Sequence, residues 1–267
     1  MSRTRETSAD ITFVLTSCGR FDLLEETLWS FFAQNTAPIA RYLLIEDSGD
    51  AAVRKVATSF PLPIDVVVNQ PSLGQIASID KAYATVNTPY VFHCEDDWRF
   101  LRPGFIEDSL VLLQHDPSIS VVCCRRLDQQ KRTLAPLLDA PVDTIGGVAH
   151  RKAHPWHDRF WHGYTFNPGL RRMSDYRMLG SFKQWGDEKD ASLYFKRKRM
   201  VVAYLADPAC ETTGAERRLP KRKAVRNAWS RLQKRWSYWL FRYHQALGSG
   251  RAYAKKTSRH KRRFETS

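Results

Sequence analysis

From residue 11 to residue 124 the chain alternates between short β-branched or aromatic runs and longer segments whose apolar residues recur every three or four positions. The strand-like runs are Ile11–Ser17, Tyr42–Ile45, Ile64–Val68, Val91–Glu95 and Ile119–Cys124. Between them lies a helical pattern from an N-cap at Asp22, with Leu23, Leu24, Thr27, Leu28, Phe31 and Phe32 on one stripe. A short helix over 51–60 follows, then one over 75–86 opened by Gly74, with Ile76, Ile79 and Tyr83 buried. The last, over 104–115, has Pro103 in its first turn, where proline is tolerated. Strict strand-helix alternation is satisfied by a doubly wound α/β fold, a mainly parallel sheet flanked by helices.

Two of these strands run into acids. Tyr42–Ile45 meets Glu46 and Asp47 before the turn Ser48-Gly49-Asp50, and Val91–Cys94 meets Glu95, Asp96 and Asp97 before Trp98. Asp and Glu are poor strand formers, so each strand stops there. The carboxyl edge of an open α/β sheet is where ligands bind. Three adjacent carboxylates at that edge repel one another unless something positive joins them, and a hard divalent cation such as Mg²⁺ or Mn²⁺ takes oxygen ligands of this kind together with substrate phosphates. An acidic triplet alone reads more often as a solvated turn or helix start than as a metal site. Its place at the end of an apolar strand, after two strand-helix units, points to a site.

After Arg126 the periodicity blurs, and 127–160, with Pro136, Pro141 and Pro155, is expected to be a long irregular excursion. His150, His154, Trp156, His157, Trp161, His162 and Tyr164 crowd together. They read either as local packing or as an aromatic platform for a sugar, and their spacing matches no zinc set. Tyr164–Leu170 reads as strand then turn and Asp175–Phe182 as a helix. A third acidic cluster, Asp187, Glu188 and Asp190, leads into an amphipathic segment with Leu193 and Tyr194, and Met200–Leu205 is the last strand of the body.

Charge separates a body from an appendage. Seventeen of the 42 Lys and Arg, but only one of the 28 Asp and Glu, lie beyond residue 216, so the +14 net charge belongs to the tail. We expect a catalytic body over 1–216, a basic amphipathic helix over 217–247 and a disordered basic tail over 248–267. From Lys221 onward Val225, Trp229, Leu232, Trp236, Trp239, Leu240 and Tyr243 recur at helical steps with cations between them. Such a helix suits an anionic membrane surface, through residues 221–247, better than a nucleic-acid arm. Packing against the body is the third option. Met1–Asp10 has no apolar core, and no run approaches the ~20 apolar residues of a membrane span. The expected location is therefore cytoplasmic, peripheral on the inner face of the membrane. The five cysteines, odd in number and mostly in apolar runs, read as reduced core thiols.

Taken together, these pieces resemble the GT-A-fold glycosyltransferases of family 2 over roughly residues 10–214. The resemblance rests on the first strand ending Thr16-Ser17-Cys18-Gly19-Arg20, the Glu46-Asp47-Ser48-Gly49-Asp50 turn, the Gly74-Gln75 helix start, Glu95-Asp96-Asp97, and Asp187-Glu188-Lys189-Asp190. It implies transfer of a sugar from a nucleotide-diphosphate sugar to a hydroxyl acceptor, a glycan or lipid-linked glycan of the cell envelope, with inversion and a divalent cation. By position it implies that Asp47, helped by Glu46, meets the nucleotide base. Thr16, Ser17, Arg20, Gly74, Gln75 and Asp80 would line the donor pocket. Asp97, with Glu95, would hold the metal in the place of the family's Asp-X-Asp motif, and Glu95 or Asp96 would lie nearer the ribose or sugar. Glu188 or Asp187, with Asp190 beside them, would supply the catalytic base, and Trp98, Trp161 and Tyr164 would face the acceptor. The family's late His-Gly pair stands here as Thr213-Gly214, which removes a histidine ligand.

The chemistry is consistent with these parts. Releasing a nucleoside diphosphate needs its charge neutralised, and the acceptor hydroxyl needs a base across the sugar from it. Two other functions compete. A sugar-nucleotidyltransferase would carry a glycine-rich basic loop after its first strand, where only Cys18-Gly19-Arg20 stands. A nucleic-acid-binding protein acting through the tail fits poorly with a nearly neutral body.

Overall fold

The computed structural model describes residues 10–129, 137–138, 140–153 and 163–214. Strand β1 (Ile11–Ser17) pairs in parallel with β2 (Arg41–Glu46) on one side and β4 (Tyr90–Glu95) on the other, and β3 (Ile64–Val68) pairs in parallel with β2. Helices α1 (Phe21–Gln34), α2 (Val53–Thr58) and α3 (Gln75–Tyr83) are the crossovers. Beyond β4 come a short β5 (Trp98–Phe100), α4 (Phe105–His115) and β6 (Ile119–Cys123). Then follow β7 (Asp143–Ile145), β8 (Val148–Lys152) and β9 (Gly169–Arg172). The chain continues through α5 (Met173–Leu179), α6 (Phe182–Trp185), α7 (Glu188–Arg197), β10 (Val201–Leu205) and β11 (Cys210–Thr212). Among the described residues the main sheet has nine strands in the order β3-β2-β1-β4-β9-β6-β10-β8-β7, while β5 and β11 form a separate antiparallel pair.

Alternate residues of each strand feed the two faces. On β1, Phe13 and Leu15 join Leu24, Leu28, Phe31 and Phe92 under α1, whereas Val14 joins Ile79, Tyr83 and Val91 under α3. Both faces are covered, as a mainly parallel sheet requires. Two strands depart from parallel order: β9, antiparallel between β4 and β6, and β8, antiparallel between β10 and β7. The first residue of β9 must be glycine, because a Cβ there would overlap the Val122 carbonyl.

Several sequence expectations change. Helix α1 begins at Phe21 with Arg20 at its cap, so Asp22 sits inside the first turn rather than capping it. Gly104, left-handed at φ 76°, caps α4, and Pro103 precedes the helix. The strand expected from Tyr164 starts only at Gly169, and the helix expected over 175–182 divides at Gly180, φ 92°, into α5 and α6. The stretch expected to be irregular contains the β7-β8 hairpin, which extends the sheet beyond β10. The four most buried of the five cysteines lie in or beside core strands and all five are free thiols. The expected extension over 217–247 and tail over 248–267, with His154, Trp156, His157, Trp161 and His162, lie outside the described residues.

Two acids given to the donor pocket by sequence hold the fold together instead. Asp47, 6% exposed, accepts five hydrogen bonds, four from the loop after β3, Asn69 Nδ2 (2.9 Å), Ser72 Oγ (2.8 Å), Leu73 N (2.8 Å) and Gly74 N (2.8 Å), and one from Ser78 Oγ (2.9 Å) in α3. A carboxylate offers about four lone-pair sites, so none is left for a base. Burial pushes this carboxyl up, but the bonds from Leu73, Asn69, Ser72 and Gly74 outweigh it and hold the group below its ordinary 3.8. Asp80 accepts from Tyr176 Oη (3.1 Å), Ser181 Oγ (3.1 Å), Phe182 N (2.9 Å) and Lys183 N (2.8 Å), tying α3 to the start of α6.

Gly169→Ala should therefore lower stability by at least about 2 kcal/mol, since backbone cannot yield as a side-chain tip can, and thermal unfolding measures it. Asp47→Asn should cost about 2–3 kcal/mol at neutral pH, because an amide presents an N–H₂ to N–H and O–H donors. Asp47 is depressed on folding, so its contribution is present above the unfolded pKa and lost as pH falls through the folded one. The melting-temperature gap between wild type and Asp47→Asn should accordingly narrow once the pH drops below 3.8.

Candidate active site

The site is assembled at the carboxyl edge of β1, β2 and β4, where the parallel register aligns Ser17 with Glu46 and Thr16 with Glu95. Thr16 and Ser17 are buried. Because all three strands end at one level, the loops after them share one surface, as the crevice rule for α/β sheets anticipates.

The acidic triplet is joined there by a positive group from the chain itself. Arg20, at the start of α1, forms ion pairs with Asp96 and with Asp97, the latter at 3.2 Å. Asp96, 2% exposed, also accepts from Ser17 Oγ (3.1 Å) and Cys18 N (3.3 Å). Asp96 is thus a buried partner of the first turn. Burial still lifts its carboxyl above the ordinary range, with the Arg20 charge opposing. Asp97 is the more open of the pair, its side chain 18% exposed. Its carbonyl accepts from Thr213 N at 3.0 Å, and a Cβ at Gly214 would come within 2.5 Å of the Asp97 Cβ, so only glycine fits there.

Glu95 accepts from Gln75 Nε2, at the first residue of α3. Its carboxyl is pushed up to about 8, first by burial and then by the charges of Asp97, Glu188 and Asp96. That Glu188 acts on Glu95 puts the first residue of α7 in the same electrostatic field as the end of β4. Glu188 Oε1 accepts from Thr165 Oγ1 (3.0 Å) and Phe166 N (2.9 Å). Burial raises its carboxyl, while those two bonds and Arg171 pull the other way and Asp187 adds to the rise. Asp187 is the N-cap of α7, its side chain accepting from Asp190 N at 3.2 Å. The late acidic cluster therefore divides into one carboxylate bound by the 165–166 segment and a helix cap.

Glu46 was given a secondary part by sequence. Its Oε1 accepts from Gly19 N (2.9 Å) and Ser48 N (2.7 Å), whereas Oε2 is buried with no hydrogen bond. A sealed carboxylate oxygen without a donor is rare in folded proteins. Of the acceptor platform, Trp98 is 3% exposed and packs in the core under the Arg125 guanidinium, 5.0 Å away, and Tyr164 is 2% exposed and stacks on Phe195 at 4.8 Å. Neither presents a face to a ligand, and Trp161 lies outside the described residues. Periodicity could not separate a buried aromatic beside the site from an exposed one.

Among the described residues no three His, Cys, Asp or Glu are grouped to hold a metal ion, nor is any helix long and apolar enough to cross a membrane. The two carboxylates Glu95 and Asp97, with Thr213 Oγ1 buried without a partner beside them, nevertheless fit a hard cation that draws the rest of its oxygens from a diphosphate.

No curated protein sequence matches the chain significantly. Two solved structures share its fold: a mannosyltransferase, PcManGT from Pyrobaculum calidifontis, in complex with GDP-Man and Mn²⁺, and TarS 1–349 from S. aureus. The first superposes with a TM-score of 0.58 at 14% identity, over 80% of this chain and 58% of that one. The second gives 0.56 at 13%, over 77% and 61%. The chain thus spans about six-tenths of the length of either. Both are glycosyltransferase GT-A folds, in agreement with the mainly parallel sheet. Residues 12–178 match the family described as Glycosyl transferase family 2, well over half the chain, and the protein belongs to that family.

Proposed function

We propose that this protein transfers a sugar from a nucleoside-diphosphate donor to a hydroxyl of a glycan or lipid-linked glycan, with inversion at the anomeric carbon. The observation that carries the reading is that β9, antiparallel to β4 with Gly169 opposite His93, brings the 165–166 segment that binds Glu188 to the same sheet edge as Glu95 and Asp97. Family membership and the GDP-Man and Mn²⁺ bound by the Pyrobaculum calidifontis neighbour support it.

In this reading Asp97 and Glu95 would hold Mg²⁺ or Mn²⁺, which would supply the positive charge that a diphosphate leaving group needs. Arg20 keeps Asp96 and Asp97 in place. Glu46, fully buried, ties the turn after β1 to that after β2 through Gly19 N and Ser48 N, while Asp47 anchors the loop after β3. Both bonds to Glu188 fall on Oε1, which leaves Oε2 for the acceptor. As the new C–O bond forms, the acceptor proton passes to Glu188 and the electrons of the breaking C–O bond leave with the nucleoside diphosphate. Burial places the Glu188 carboxyl above its ordinary 4.5, closer to the working pH, which suits a general base.

The tail gives the second partner. Its Trp and Tyr residues set among cations suit an anionic membrane surface on the cytoplasmic side, where a lipid-linked acceptor would be met.

Thermal-shift titration with UDP-, GDP- and dTDP-sugars, with and without Mn²⁺, should find one donor class that raises the melting temperature, more so with the ion. Glu188→Gln should keep that shift while losing ~10²–10⁴-fold in turnover, and Asp97→Ala should lose the ion-dependent part. Wild-type turnover by both variants would remove the assignment. Because the base must be deprotonated, turnover should fall as pH drops, with the acid limb above pH 4.5. Removing residues 220–267 should release the protein from phosphatidylserine liposomes and spare donor hydrolysis; undiminished liposome binding, or steep salt-dependent DNA binding in its place, contradicts the membrane role.

A further inference from the structure

One buried cation is left without a role by this reading. Arg171, on β9, is 1% exposed, yet among the described residues it has no carboxylate partner at ion-pair distance. Its guanidinium donates to Tyr83 Oη on α3 (3.1 Å) and to the Asn167 carbonyl (3.0 Å), lies 5.5 Å from the centre of the Tyr164 ring, and has no acceptor for Nε. A buried charge is costly unless the surroundings use it. An apolar residue would fill the same space in a core otherwise made of Tyr83, Tyr164, Phe166 and Phe182.

The bonds lead from Arg171 to the base. Asn167 N donates to Thr165 Oγ1 (3.2 Å), and that hydroxyl donates to Glu188 Oε1, as does Phe166 N. Both of the hydrogen bonds that fix Glu188 thus come from the segment 165–167. That segment is irregular backbone between Gly163 and β9, with no sheet ladder to hold it. Its flanks are tied by Gly163 N and Tyr164 N donating to Ser192 Oγ and by Cys124 N donating to the Pro168 carbonyl, while Asn167 itself is held by two arginines: Arg171 on its carbonyl and Arg125 Nη1 on its side-chain oxygen (3.2 Å). The groups whose charge reaches Glu188 are Arg171 on β9 and Asp187 at the head of α7, and Glu188 in turn acts on Glu95 at the end of β4 and Cys123 at the end of β6. Arg171 is the cation among these.

We propose that Arg171 is a positioning residue for Glu188: by clamping the Asn167 carbonyl against Tyr83, it fixes the 165–167 segment whose Thr165 hydroxyl and Phe166 amide hold the Glu188 carboxylate in place. The catalytic part of this inference rests on Glu188 being the base, but the clamp does not. A misplacement of about 1 Å at a reacting group costs on the order of 10²-fold in rate, so a clamp two bonds removed from the base has leverage on turnover without touching substrate.

Amide hydrogen exchange tests the clamp without any donor. In Arg171→Met the amides of 165–167 should exchange at least ~10-fold faster than in wild type, a loss of about 1.4 kcal/mol of local protection. Those of β1, β2 and β4 should be unchanged, and Arg171→Lys should restore part of the protection. Unchanged exchange at 165–167 overturns the proposal. If Arg171→Met exchanges fast throughout, Tyr83→Phe, which removes one acceptor and keeps the charge, decides instead: local acceleration supports the clamp and none refutes it. With UDP-, GDP- or dTDP-sugars, Arg171→Met should lower kcat by ~10²-fold with the donor KM within about threefold of wild type. Equal loss in kcat and donor affinity contradicts positioning. Wild-type turnover by Glu188→Gln would remove the base reading and leave the exchange result standing.

Discussion

The structure is built around like charges gathered in a place where water cannot screen them. Glu95 ends a buried strand with Asp96 and Asp97 just after it, and the charge of Glu188 reaches Glu95 from another element. Few-ångström separations between carboxylates in a poorly solvated crevice cost several kcal/mol unless offset. Arg20 offsets two of the charges by pairing with Asp96 and Asp97, and the Glu95 carboxyl is pushed up to about 8 by burial and its acidic neighbours. The parallel register of β1, β2 and β4 makes this possible, because it delivers Arg20, Glu46 and the triplet to one level. A cation and a diphosphate added at this edge would use charges already assembled for them.

A simple distinction separates the acids that serve the fold from those left for a ligand, namely how many donors each already has. Asp47 has five and Asp80 four, all from the protein. Both are loop anchors despite lying where a donor pocket was expected. Glu46 has two, on one oxygen, and its other oxygen is buried without a partner; Glu188 also has two on one oxygen. Of these two, Glu46 is sealed inside the fold, whereas Glu188 is oriented through one oxygen and keeps the other for chemistry. The aromatic residues divide in the same way: Trp98 and Tyr164 are part of the core that supports the crevice rather than of its lining.

Much of this was legible in the chain. Strand-helix alternation set out β1 to β4 and β6 to within a residue or two, though not the short β5, because both faces of the sheet are covered and the apolar periods are therefore strong. The acidic ends of β2 and β4 and the Glu188 cluster were legible for the opposite reason: charges that close apolar strands break the pattern. What could not be read was anything decided by contacts distant in sequence. The antiparallel insertion of β9 depends on Gly169 meeting Val122, the pairing of β5 with β11 involves only three residues each, and the donor count on Asp47 depends on a loop and helix 22 to 31 residues away. Arg20 looked like a pocket residue, and only the fold shows it to be the internal counter-ion.

These observations make one claim: the end of β4 and the head of α7 flank the same sugar, one side holding the leaving group and the other taking the proton. A crystal structure with an intact nucleotide sugar and Mn²⁺ tests it most directly. The account predicts the ion between Asp97 and the diphosphate, with the Glu188 carboxylate on the face of the anomeric carbon opposite the leaving oxygen. A complex in which the donor lies away from Asp97, or in which Glu188 sits on the same side as the diphosphate, would contradict it.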